Sequence, residues 1–219
     1  MKIEIQTNPQ REEYLTTILK FMRTEDKITN KMISERLNLA PSSVTEMLKK
    51  LTSEGLVEKG RNNNLTELGQ KIAKKILSKH RLWEYFLQEK LHYSWKDVHE
   101  HAKKFQTVTN DDLLNKLNDF WGYPEYCPHG SVIYINNEES NKDLIRMSDA
   151  KKDSNYIIRR ISDNRSLLNY CESIEIKIGE KIKIVDFDSF DETAIIKIGD
   201  EIKRISPKAC TDIFLKESH

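Results

Sequence analysis

Apolar positions recur at helical spacing through the first half of the chain and alternate near its end. Tyr14, Leu15, Ile18, Leu19 and Met22 predict a helix over 11–23. Thr29 or Asn30 stands where an N-cap is wanted, and Ile33 and Leu37 give the inner face of a second helix. Asn38-Leu39-Ala40 breaks the pattern before Pro41-Ser42-Ser43, where proline suits a first turn and the serines are placed to satisfy free amides. Val44, Met47, Leu48 and Leu51 form the stripe of a third helix that Gly55 ends. Leu56-Val57 and Leu65 bracket a polar, glycine-containing stretch, which predicts a hairpin. Thr66 and Glu67 open a long helix, and Leu68, Ile72, Ile76, Leu82 and Phe86 carry it to about Leu91. Two shorter helices are expected over 94–120, broken near 107–110, with Thr109 or Asn110 as cap and Leu113, Leu114, Leu117 and Phe120 on the second.

Beyond them the stretch 121–150 is irregular, with Gly122, Pro124, Pro128 and Gly130, and 151–170 returns to helix-like spacing. From Ile174 the period is two: Ile174, Ile176 and Ile178, then Ile182 and Ile184, then Ile196 and Ile198. Gly179-Glu180 and Gly199-Asp200 supply turns. Short alternating strands this close together predict a small SH3-like β-barrel. The fold class is therefore mainly α with a small β domain: an N-terminal winged helix-turn-helix, a helical dimerisation domain and a C-terminal SH3-like barrel. The expected boundaries are 1–75, 76–147 and 148–219. A chain of 219 residues is long for one core, which agrees with that division.

Two helices joined by a tight turn, followed by a basic hairpin, form a DNA reader with a wing. The first turns of the reader helix carry Ser42, Ser43 and Glu46, suited to base edges or phosphates. Lys49 and Lys50 suit phosphates, and Lys59 and Arg61 at the wing tip suit the DNA backbone or minor groove. Net charge is only +1, but residues 1–75 hold 14 Lys/Arg against 10 Asp/Glu, a modest bias towards a polyanion. Taken alone, the same pattern also describes a capped surface helix.

The middle of the chain carries metal-binding side chains. His80 and Glu84 are four apart on one predicted helix and so share a face. His99 and His101 follow on the next helix, and Cys127 and His129 sit two apart in the proline-containing loop. Imidazole suits Zn, Mn or Fe, and a carboxylate shifts the preference towards Mn or Fe. Each pair alone is an ordinary surface or core feature; their combination points to a transition metal. There is no HExxH, no glycine-rich phosphate loop and no Ser/His/Asp order, so an enzyme is not expected. Three cysteines without CxxC argue against a disulfide framework and fit a reducing cytoplasm. No apolar run resembles a signal peptide or a membrane span, so a cytoplasmic protein without membrane contact is expected.

The residues Ala40-Pro-Ser-Ser-Val-Thr-Glu-Met-Leu-Lys-Lys-Leu51, Lys79-His-Arg-Leu-Trp-Glu84, Val98-His-Glu100 and Tyr123-Pro-Glu-Tyr-Cys-Pro-His-Gly130 resemble the diphtheria-toxin-repressor family of metal-dependent repressors. The likeness runs over nearly the whole chain and is greatest to the three-domain manganese-responsive members. It implies a homodimer, a palindromic double-stranded DNA operator, and a divalent co-repressor: Mn(II) or Fe(II) foremost, with Zn(II) an option. It also implies a site at Glu84, Cys127, His129 and Asp163, with His80 and His99 matching ligands of iron-dependent members.

A second family site joins the first helix to the fifth. Here Glu13 is retained, but Lys103, Gln106 and Thr107 stand where ligands are expected. A protonated lysine has no lone pair, so this site is expected to be degenerate, with Lys103 either pairing to Glu13 in place of an ion or simply solvated. Two readings follow: a repressor governed by metal, or a metal-independent regulator with a residual structural site.

Overall fold

The computed structural model describes residues 8–60, 62–137, 143–162 and 164–218. The chain forms two compact units: Met1–His80 with Lys103–Lys116, and Arg81–Ala102 with Leu117–His219.

The first unit opens with α1 (Pro9–Phe21), where the Asn8 side chain accepts from the Arg11 amide at 2.9 Å and Pro9 occupies the first turn. Tyr14, Leu15, Ile18 and Leu19 are buried, as their spacing predicts. In α2 (Asn30–Leu37) Thr29 is the cap, accepting from Met32 N at 3.3 Å, and Asn38 ends the helix in the left-handed region at φ 53°. α3 (Pro41–Ser53) buries Val44, Leu48 and Leu51. Its serines do not cap it, contrary to the sequence expectation: the N-cap is Ala40, with no side-chain bond. Proline in the first turn removes one free amide outright, which lessens the need for a cap. Ser42 and Ser43 are left facing solvent.

Val57 and Leu65 form an antiparallel bridge at the base of the wing, and both are buried. A Cβ on Gly69 would lie 2.1 Å from the Leu56 carbonyl oxygen, so only glycine lets the next helix start against this base. That helix, α4 (Glu67–Leu91), continues from the first unit into the second. α5 (Trp95–Val108) and α6 (Asp111–Phe120) follow, and Asn110 Oδ1 accepts from Leu113 N at 2.9 Å to start α6.

In the second unit Leu87, Val98 and Ala102 pack together, with Trp83 and Tyr93 against them. The C-terminal part is one six-stranded antiparallel sheet. Its strands are β1 (Ile145–Arg146), β2 (Asn155–Ile161), β3 (Lys181–Phe187), β4 (Ala194–Ile198), β5 (Glu201–Ile205) and β6 (Ile213–Glu217), in the order β1-β6-β2-β3-β4-β5. α7 (Arg165–Ser173) and α8 (Pro207–Cys210) complete it. Ile158, Ile184, Ile196, Ile213 and Leu215 share its core with Leu168 of α7.

Two expectations are corrected here. The segment 151–170 is not one helix: β2 comes first, and α7 begins only after Asn164, whose side chain caps it. A register shift between Ile158 and Arg160 spaces the buried residues as Tyr156, Ile158 and Ile161, which blurs the period of two. Ile174, Ile176 and Ile178 are not a strand either; Ile176 N bonds back to the Cys171 carbonyl at 2.8 Å in a tight exit from α7.

Candidate metal centre and nucleic-acid interface

Within the second unit α4 delivers Glu84, α5 delivers His99, and the loop after α6 delivers Cys127 and His129. Glu84 and His129 have no exposed surface, and Cys127 has almost none. One donor atom from each of Glu84, Cys127 and His129 falls within 4.8 Å of the others. His129 Nδ1 lies 3.4 Å from Glu84 Oε2 and 3.9 Å from Cys127 Sγ. His99 Nδ1 lies 2.6 Å from Glu84 Oε1, and its ring stacks on that of His129 at 4.8 Å between centroids.

The chemistry of this set fits a divalent cation. A carboxylate removed from water is costly unless a positive charge answers it. Within this unit two imidazoles and a thiol converge on Glu84, each able to offer a lone pair to one ion. Arg81, on the same helix, donates to the Val132 carbonyl and lies over the Tyr134 ring.

The loop that carries Cys127 and His129 is shaped by its own backbone. Cys127 N donates to Ser131 O at 2.8 Å, and Gly130 N to Cys127 O at 2.8 Å, closing a turn around His129. Gly130 has φ +74°, and a Cβ there would meet the Arg159 carbonyl oxygen at 1.9 Å. Ile161 N donates to the His129 carbonyl at 3.3 Å, so the loop is bonded to β2. Asn136 fixes the loop's far end, donating to the Pro124 carbonyl at 2.7 Å and exchanging amide bonds with Asn118. Asp163 lies outside the described residues. His101 sits with its ring against Tyr93.

His80 belongs to the first unit, where its Nδ1 pairs with Gln106 Oε1 at 2.9 Å. Gln106 Nε2 donates to Glu12 Oε2 at 2.8 Å, and Thr107 Oγ1 donates to the same oxygen at 3.1 Å. Lys103 forms an ion pair with Glu13. The sequence comparison singles out Glu13, yet the buried carboxylate facing α5 is Glu12. Glu12 is 1% exposed, and its place three residues before Leu15 and seven before Leu19, on the edge of the inward face, is the signal the sequence offers.

The reader helix presents Ser42, Ser43, Glu46, Lys49 and Lys50 to solvent, and Lys59 is exposed on the wing. Arg61 lies outside the described residues. A concavity between α3 and the wing is lined by Lys49, Thr52, Lys59 and Asn63 among others. The asparagines of the wing hold its base in place. Ile28 N donates to Asn62 Oδ1 at 2.8 Å, and Asn63 Nδ2 donates to the Ile28 carbonyl and to Asn30 Oδ1, each at 3.0 Å. Asn30 in turn donates to Thr45 Oγ1 on α3 at 3.1 Å. Among the described residues no helix is long and apolar enough to cross a membrane.

Three family models tile the chain. Residues 6–63 match the N-terminal DNA-binding domain of iron-dependent repressors, 66–135 their metal-binding and dimerisation domain, and 145–217 the FeoA domain. The chain is 38% identical over 112 residues to an HTH-type transcriptional regulator of Methanocaldococcus jannaschii, covering 50% of this chain and 90% of that one. It is 30% identical over 127 residues to the HTH-type transcriptional regulator MntR of Lysinibacillus sphaericus, covering 50% of this chain and 91% of that one. The solved structure of the manganese regulator SloR is 30% identical, covers 97% of this chain and 100% of its own, and superposes with a TM-score of 0.83. With a DNA-binding domain, a metal-binding and dimerisation domain and a FeoA domain matched in turn, the chain belongs to the iron-dependent repressor family of metal-dependent transcriptional repressors.

Proposed function

We propose that this chain is a homodimeric repressor of metal-homeostasis genes that engages its operator when Mn(II) or Fe(II) is held by Glu84, Cys127 and His129. The observation that carries this reading is the fully buried Glu84 carboxylate between two imidazoles and a thiol. Carboxylate and imidazole donors favour Mn(II) and Fe(II), and the thiolate leaves Zn(II) able to compete. His99 reaches the same carboxylate and adds a donor; Asp163, just beyond β2, is assigned as a further one.

The DNA-binding roles go to Ser42, Ser43 and Glu46 at base edges and to Lys49, Lys50, Lys59 and Arg61 at phosphates. The three segments 1–75, 76–147 and 148–219 divide the work into DNA reading, dimerisation with metal binding, and an SH3-like domain bonded to the ligand loop. Its place of action is the cytoplasm. Membership in a family of metal-dependent repressors favours this over a metal-independent regulator.

The test is titration of the full chain onto DNA from its own upstream region, in chelator and then with Mn(II), Fe(II) or Zn(II). Binding is expected only with metal, and the His129→Ala and Glu84→Gln variants should lose that response. Equal binding of the wild type in chelator would overturn the reading.

A further inference from the structure

In the first unit a buried carboxylate on α1 faces the second half of α5. Glu12 is 1% exposed, and an acid so placed needs hydrogen-bond donors or a cation. Two neutral donors supply that need on adjacent residues of α5: the Gln106 amide at 2.8 Å and the Thr107 hydroxyl at 3.1 Å. Gln106 is oriented by its other end. Its carbonyl oxygen faces His80 Nδ1 at 2.9 Å, so His80 donates and the amide nitrogen must point to Glu12. The adjacent α1 residue, Glu13, is paired with the Lys103 ammonium, one turn before Gln106 and Thr107 on α5. Lys103 is half-exposed, so that bond is screened and weak alone; the buried bonds to Glu12 provide most of the attachment. The positive charge beside Glu13 also disfavours a divalent ion at this place.

We propose that α1 is fastened to α5 by this clasp of side chains with no ion taking part, so that metal governs the chain through the Glu84–Cys127–His129 centre alone, with one ion per subunit. The consequence for regulation rests on the metal-activated reading above; the clasp itself does not. The first unit is then held together in apo and metal-bound protein alike, and the metal signal enters only in the second unit.

Hydrogen exchange of the α1 amides in the full chain tests the clasp without reference to DNA. In the wild type, α1 protection should be the same in chelator and with saturating Mn(II). Gln106→Glu sets a second carboxylate against Glu12 and replaces the amide donor. In chelator its α1 amides should exchange about tenfold faster or more, the size expected on losing a hydrogen bond to a buried charge, and Mn(II) should restore protection by bridging the two acids. Lys103→Ala, at the exposed edge, keeps the fold intact as a second variant and should speed α1 exchange by a smaller factor.

Metal-induced α1 protection in wild type that survives Glu84→Gln would place an ion at the clasp and overturn the proposal. So would α1 exchange in Gln106→Glu that matches wild type and ignores Mn(II). If instead the clasp behaves as stated while DNA binding ignores metal, the functional reading alone has failed.

Discussion

Cys171 and Cys210 show what burial does to a single side chain here. Both are buried in the C-terminal core, and burial pushes each thiol up to about 11 from an ordinary value near 9. Such thiols pack as small hydrophobes and react poorly. The sign for stability follows from proton binding. Between about pH 9 and 11 the unfolded chain has released these protons while the folded chain keeps them, so stability falls as pH rises through that window. Their contribution is complete below pH 9. Denaturant melts from pH 8 to 11 should therefore show a decline starting near 9 that lessens in Cys171→Ala/Cys210→Ala; a decline of equal size in the double variant would assign it to other groups. Cys127 is equally buried, but it lies beside His129 and Glu84, and those neighbours make it a ligand candidate.

At the scale of elements, the wing depends on asparagines that read in the sequence as ordinary turn residues. Asn63 donates to the Ile28 carbonyl and to Asn30, and Asn30 reaches Thr45 on the reader helix, so one amide chain ties the wing base to α2 and α3. Asn63→Ala should leave the buried wing residues Val57 and Leu65 in place and weaken DNA binding, because Lys59 loses its fixed position. Each lost hydrogen bond contributes about 1 kcal/mol, so a several-fold to tenfold loss of operator affinity with a modest drop in melting temperature is expected. An unchanged affinity in a fluorescence anisotropy titration would mean the wing needs no such support. The ligand loop is organised by backbone in a comparable way: the close approach of Gly130 to Arg159 and the Ile161–His129 bond attach it to β2.

For the whole molecule, a net charge of +1 means that attraction to DNA comes from where the cations sit. Lys49, Lys50 and Lys59 are exposed on α3 and the wing. If each meets a phosphate, replacing all three by alanine should flatten the dependence of log K on log salt by roughly 0.9 per lost contact, between 2 and 3 in all. The metal response should persist in that variant, since the proposed ligands Glu84, Cys127 and His129 lie in the second unit. A slope equal to the wild type's would place the DNA contacts elsewhere.

The local sequence determined the helical elements, the wing and the candidate ligands. Helical periodicity, caps and turn residues act over a few neighbours, and metal-binding side chains declare themselves by type: α1 to α6, Glu84, Cys127 and His129 were legible for that reason. Only the tertiary structure decided three other matters. It placed β2 where a bulge had blurred the alternation, and it paired β1 and β6, whose partners are distant in sequence. It turned Glu12 inward to meet Gln106 and Thr107, a contact across more than ninety residues that no local pattern encodes. And it brought Glu84, His99, Cys127 and His129 to one point, because convergence depends on how helices pack and where a loop is bonded.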